Sequence, residues 1–444
     1  MTGAERRPHA PDLWDAREAW SRDRIVAHQR AMLSRQLSYV DARSGFYRRR
    51  FVAAGFRPGD LRHVEDLRQL PLTTKQDYLA ALGEAPPWGS ALACEPAAVR
   101  RVHFSSGTTS QPTPDAWTAS DLDRWTDLYA RGAYAQGVRA GDVFQCLFSY
   151  PWFVGGLGAT AAFERIGCTV IPGGSSDTER QIETIFAFGT TALMATPSFA
   201  AHLAEVAQRM GRDLRASSVR HVGVGGEPGA GVPATRARLE DLWEAKVYDC
   251  YGSLEFQPIA WDCAAQAGGH LMEDFAVAEV VDPATGTAVP DGTPGLLVLT
   301  HLDKQAFPLV RWATGDVVVR DSRPCACGRT HARLPGGVRG RADEMIIVRG
   351  VNLFPTAVED VVRATPGLAD EYRIVLDDSV RDPATGFLTG IRLQVEAAAD
   401  APPDIGRRLA DAIRARLLVR AAVEVLAPAT LERFTHKARR LVKR

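Results

Sequence analysis

Between about residues 101 and 230 short apolar runs alternate with helical segments, and no other feature of the chain narrows its architecture as far. VFQCLF, CTVIPG, TALMATP and HVGVGGEP have strand length and strand composition; SDLDRWTDLYARGAYAQ and PSFAAHLAEVAQRM carry helical spacing. That alternation predicts βαβ units and a covered sheet, hence an α/β fold.

The flanks read differently. Residues 12 to 100 are mostly helical in pattern, and LPLTTKQDYLAAL places a Thr N-cap before an acidic first turn. From about 270 to 335 the pattern turns to strands punctuated by Asp-Pro, Asp-Gly and Pro-Gly, as in a β-rich subdomain. After GGVRGRADEMIIVRGVNLFP a small α+β unit of about 100 residues begins, with helices in TAVEDVVRAT and PPDIGRRLADAIRARLL and strands in YRIVLD and FLTGIRLQVEA. The expected division is 1–342 and 343–444.

With 444 residues, 45% hydrophobic and 24% charged, the chain can bury a substantial core. Its 53 basic and 53 acidic side chains cancel, which argues against nucleic acid or an anionic membrane as a partner. No secretory pattern and no run of about 18 apolar residues is found, so a cytoplasmic location is expected. Seven cysteines, an odd number, do not make a disulfide framework.

The chemistry lies in the loops. Ser105, Ser106, Gly107, Thr108 and Thr109 place hydroxyls and backbone N–H groups on one turn, suited to gripping a polyphosphate. Taken alone, such a stretch is also an ordinary Ser/Thr turn, and no Gly-Lys-Ser/Thr follows it as in a Walker loop. GGEP at 225–228 and YGSLE at 251–255 fall at expected strand ends, where α/β sheets bind ligands. An aromatic ring beside glycine, with a carboxylate just beyond, can stack a base and hold Mg²⁺. TGD at 314–316 adds a carboxylate for ribose hydroxyls.

In their order, SSGTTSQPT, GGEP, YGSLE, RWATGD, GRADEMIIVRGVNLFP and THKARR resemble the adenylate-forming enzymes, in particular the phenylacetate-CoA ligase-like branch. The resemblance runs from about residue 100 to the C-terminus. It implies a large multi-subdomain N-terminal adenylation domain and a small mobile α+β C-terminal domain, with ATP and Mg²⁺ as reactants and CoA as a candidate acceptor. Ser105 to Thr109 would hold the β- and γ-phosphates, Gly226, Glu227, Tyr251 and Gly252 the adenine, and Asp316 with Arg341 the ribose. Glu255 would bind Mg²⁺, Asp343 would be the hinge, and Lys437 would stabilise charge on the α-phosphate and carboxylate; Thr108 would share in catalysis. Read locally, Glu255 is also a plausible helix N-terminal charge and Lys437 part of a solvated basic tail. The resemblance is compatible with a homodimer.

Cys263, His270, Cys325 and Cys327 form a candidate Cys₃His set for a structural Zn²⁺, a closed site without an open position. SYPWFVGGLG at 149–158 combines aromatics with a glycine pair, and Tyr150, Trp152, Phe153, Gly155 and Gly156 are the expected slot for an aryl ring; the competing reading puts Trp152 and Phe153 in the core.

Three departures from the family pattern bear on the second half-reaction: Ser110 for a glycine, His436 before Lys437, and Ala313 where relatives carry a charge. They leave open other acceptors, namely a carrier-protein thiol or an amine, and activation of nitrite for diazotisation of an aryl amine. A nucleotide-binding scaffold without catalysis is the remaining alternative.

Overall fold

Alternate residues of the strand Ala192–Ala195 enter two different cores, Ala192 and Met194 on one face and Leu193 and Ala195 on the other, as the period of a doubly covered strand requires. The structure, a computed structural model, describes residues 12–105, 113–175, 177–349, 351–383, 385, 387–433 and 440–443. In the central sheet the parallel strands run Thr169–Ile171, Val143–Cys146, Ala192–Ala195, His221–Val224 and Lys246–Tyr251 in spatial order. Three short antiparallel strands, Ala260–Trp261, Gly269–Leu271 and Arg333–Leu334, extend the Lys246–Tyr251 edge.

Helices Ala119–Ala135 and Gly155–Ile166 bring Trp125, Tyr129 and Phe163 onto one face, and Pro197–Arg209 and Pro233–Trp243 bring Phe199, Leu203 and Trp243 onto the other. The expected βαβ alternation is therefore present, and the carboxyl ends of the strands all deliver their loops to one edge.

A second, antiparallel sheet orders Ala276–Val281, Pro294–His301, Trp312–Val319 and Gly340–Arg341, and its core is shared with the N-terminal helices Arg22–Arg43, Gly45–Ala53 and Lys75–Gly83. Thr74 caps the last of these in a full capping box with Asp77, as its sequence predicts. Between the sheets stands a separate hairpin, Val99–Phe104 with Pro114–Thr118, paired from Val99 opposite Thr118 to Phe104 opposite Pro114.

The C-terminal unit packs helices Pro355–Arg363 and Ile405–Leu417 on a sheet ordered Ala421–Leu426, Ile391–Ala397, Leu368–Leu376, Leu441–Lys443. Its separate core includes Val358, Tyr372, Ile374, Leu393, Leu409 and Ile413. No helix among the described residues is long and apolar enough to cross a membrane.

Candidate active site

At the end of the strand Lys246–Tyr251, the Tyr251 hydroxyl donates to Asp316 Oδ2 at 2.5 Å, joining the central sheet to the antiparallel one. Asp316 sits opposite Arg341 in the strand ladder, and Arg341 returns a hydrogen bond to Asp316 Oδ1 at 3.2 Å and another to the Thr314 carbonyl at 3.2 Å. The other edge of the guanidinium meets Asp343 Oδ1 at 3.0 Å. Burial and the Asp316 charge together push the Tyr251 phenol well up, so it stays a donor. Burial opposes the charge on Arg341, but Asp343 and Asp316 outweigh it and raise its pKa.

Gly315 makes this packing possible. Its φ is +82°, and a Cβ there would stand 2.6 Å from the Arg341 guanidinium.

Gly226 and Glu227 follow the strand His221–Val224. The Glu227 carboxylate accepts from the Ser198 amide at 2.7 Å, at the first turn of helix Pro197–Arg209, where negative charge is favoured. Gly252 and Glu255 lie in the turn after Tyr251; Ser253 N donates to the Phe256 carbonyl at 2.9 Å and Phe256 N to Ser253 Oγ at 3.2 Å, which holds the partly exposed Glu255 at the turn's tip. The Glu255 carboxylate is near enough to contribute to raising the pKa of both Asp115 and Tyr78.

Ser105 closes the free-standing hairpin: its amide donates to the Thr113 carbonyl at 3.0 Å, and the Thr113 amide donates to Ser105 Oγ at 3.4 Å. Ser106, Gly107, Thr108, Thr109 and Lys437 lie outside the described residues, as do Ser110 and His436.

The candidate aryl slot adjoins the same hairpin. Phe104 N donates to the Trp152 carbonyl at 2.9 Å, and the two rings meet edge-on at 5.3 Å. Trp152 is 67% exposed with φ +68°, and Phe153 is half-buried, so neither belongs to the interior. Tyr150 shares a 2.8 Å hydrogen bond with Thr160. Gly155 and Gly156 open the helix beneath, and a Cβ on Gly156 would press at 3.0 Å on both the Ser149 carbonyl and the Tyr150 ring.

Cys263, His270, Cys325 and Cys327 converge, with ligand atoms all within 4.8 Å of one another. Tetrahedral Zn²⁺ with ordinary bond lengths demands S···S of about 3.8 Å and S···N of about 3.5 Å. Cys263 Sγ to Cys325 Sγ is 3.8 Å, and Cys327 Sγ to His270 Nε2 is 3.4 Å. His270 Nδ1 lies 3.1 Å from the His331 carbonyl, the outer hydrogen bond that leaves Nε2 for a metal. The donor set fits the ion.

Residues 57–301 match the family described as AMP-binding enzyme, and residues 350–444 match its C-terminal domain. The chain belongs to the AMP-binding enzyme family. Phenylacetate-coenzyme A ligase of Aromatoleum evansii is 36% identical over 447 residues, covering 98% of this chain and 98% of that protein. The Thermus thermophilus ligase of the same name is 36% identical over 395 residues, 88% of this chain and 86% of its own length. Among solved structures, 2-hydroxyisobutyryl-CoA ligase in the postadenylation state with R3-HIB-AMP superposes with a TM-score of 0.90 at 29% identity, over 96% of this chain and 91% of that one. The same ligase in the thioesterification state gives 0.73 at 30% identity, with 96% and 91% coverage.

This AMP-binding enzyme thus has its two domains arranged nearer to the postadenylation form. Polar contacts across the domains include Thr235 Oγ1 to Glu359 Oε1 at 3.1 Å, Arg238 to Asp370 at 3.4 Å, and Arg433 to Glu205 at 3.3 Å. Sequence reasoning did not find Ser198 and Thr314, which bond to Glu227 and Arg341, or Asp115, whose carboxyl feels the Glu255 charge. Only Thr314 stood inside a quoted motif; the others are single residues whose proximity comes from the tertiary fold.

Proposed function

We propose that this enzyme activates an aryl or arylacetic carboxylic acid with ATP, releasing pyrophosphate, and then transfers the acyl group to CoA, releasing AMP. One observation carries the reading: the full-length similarity to ligases named for phenylacetate and coenzyme A. The geometry is compatible with it. A carboxylate oxygen attacks the α-phosphorus and pyrophosphate leaves; the CoA thiolate then attacks the acyl carbon and AMP leaves.

In this reading Tyr251, Gly252, Gly226 and Glu227 frame the adenine, Asp316 and Arg341 take the ribose hydroxyls, and Ser105 through Thr109 hold the phosphates. Glu255 would carry the Mg²⁺ that accompanies ATP. Lys437 would neutralise charge developing at the α-phosphate, and the division would fall at Asp343, with 1–342 on one side and 343–444 on the other. Arg341 between Asp316 and Asp343 supports that placement, since one guanidinium ties the ribose carboxylate to the hinge residue. Tyr150, Trp152, Phe153, Gly155 and Gly156 would hold the ring, and the Cys₃His set a structural Zn²⁺ bracing the antiparallel edge. A cytoplasmic location goes with substrates of this kind. A carrier protein, an amine or nitrite as partner has no support from these relatives.

The test is incubation with ATP, Mg²⁺ and a panel of aryl acids, with and without CoA, followed by mass spectrometry. An aryl-CoA formed together with AMP is the expected result; AMP without a thioester in the presence of CoA would overturn the choice of acceptor.

A further inference from the structure

Lys304 is 1% exposed and carries its ammonium into the body of the protein, between the antiparallel sheet and the hairpin. Its Nζ donates to Asp115 Oδ2 at 3.0 Å and sits 3.0 Å from the centroid of the Trp117 ring. Asp115 and Trp117 are two apart on the strand Pro114–Thr118 and so point to the same side, which lets one cation engage both.

The backbone around Lys304 is firmly held. Gln36 Nε2 donates to the Lys304 carbonyl at 2.7 Å, and the amides of Gln305 and Ala306 both donate to the Asp121 carboxylate, at 2.7 and 3.0 Å. Asp115 lies on the hairpin that ends in the Ser105–Thr113 pair, two residues away, and Tyr78 steadies the same strand by donating to the Pro114 carbonyl at 3.1 Å. A fixed cation therefore grips the strand next to the root of the 106–112 segment.

A buried ion pair is by itself weak evidence of a stabilising role. Replacing a buried ion pair by apolar side chains of similar volume is often neutral or stabilising, because desolvation cancels the attraction. Burial pushes the Asp115 carboxyl up to about 7 against the pull of Lys304, which shows how much desolvation opposes the charge. The Glu255 carboxylate adds to that upward push on Asp115.

We propose that Lys304 and Asp115 are a buried positioning pair that sets the root of the phosphate-gripping loop for the β- and γ-phosphates of ATP. This rests on the adenylating reading above. Neither residue touches nucleotide in this account; both act through the hairpin.

The test measures dissociation constants for ATP, pyrophosphate and AMP by calorimetry on full-length wild type, the double variant Asp115→Leu/Lys304→Met, and Asp115→Asn. A positioning pair predicts that the double variant keeps its melting temperature and AMP affinity, while ATP and pyrophosphate weaken about tenfold or more. A general packing role would weaken AMP equally. Equal loss for all three ligands, or no loss for ATP, overturns the proposal. Should the double variant fail to fold, Asp115→Asn, which keeps the shape, makes the same comparison. Wild type that binds ATP yet forms no AMP with any acid would defeat the adenylating reading while the ATP-to-AMP selectivity still decides the pair; wild type that binds no ATP defeats both.

Discussion

Thr235 Oγ1, on the helix Pro233–Trp243 of the large domain, donates to Glu359 Oε1, on the helix Pro355–Arg363 of the small one, across 3.1 Å. This contact belongs to an arrangement nearer to the postadenylation form of a related ligase than to its thioesterification form. Thr235→Val removes the hydrogen bond at constant shape and leaves Glu359 with the Tyr372 hydroxyl at 3.2 Å. A net hydrogen bond is worth about 0.5–1.5 kcal/mol, so adenylation measured by pyrophosphate exchange should fall roughly two- to tenfold. Thioester formation from preformed acyl-AMP should be unchanged; an equal loss in both half-reactions would contradict the assignment.

Trp152 combines a left-handed backbone with an exposed ring. Trp152→Gly releases strain of about 1 kcal/mol and sacrifices little buried surface, so thermal unfolding should stay the same or rise slightly. If the ring covers the aryl substrate, KM for the acid rises about fivefold or more while KM for ATP holds. An unaltered KM for the acid would remove Trp152 from the slot.

For the Cys₃His set, elemental analysis of protein purified without chelator should find one zinc per chain. Cys325→Ser should lose that metal and melt about 5 °C lower or more, while the folded fraction at low temperature keeps its rate of AMP formation within about twofold. Loss of AMP formation in protein that is still folded would assign the metal to the chemistry instead.

His103, on the hairpin opposite Asp115, has its pKa lowered to about 4 by burial, with Arg101 and Lys304 adding to the effect. The unfolded chain takes up this proton near pH 6.5 and the folded chain only near 4. The contribution to stability is therefore whole above about pH 6.5 and is lost progressively as pH falls toward 4. Urea denaturation at a series of pH values should show this decline, and His103→Gln should flatten it; a slope identical to wild type would contradict the assignment.

The parallel sheet was legible because buried strands and amphipathic helices leave different periodicities, and ALMA and HVGV have the composition and length of buried strands. YGSLE and RWATGD could be joined only through resemblance: 65 positions separate Tyr251 from Asp316, and local pattern carries no distance. The Cys₃His set was legible from donor chemistry together with the family resemblance, although a Cys-x-Cys pair is uncommon spacing for zinc. Other features were hidden. Glu227 turns its carboxylate to a helix that precedes it by some thirty residues, and Lys304 stands in none of the motifs. The left-handed backbone at Trp152 has no sequence signal, because nothing in its side chain asks for it.

Among the described residues, the hairpin strands Val99–Phe104 and Pro114–Thr118 share no ladder with either large sheet. An insertion or deletion between its two strands would shift no register in the parallel sheet, although Trp117 on the second strand packs against Trp125 in the core on one face of that sheet. For protein engineering the segment is a cassette: libraries varying its length and composition can be screened on an unchanged scaffold, with the Ser105–Thr113 pair as the splice points.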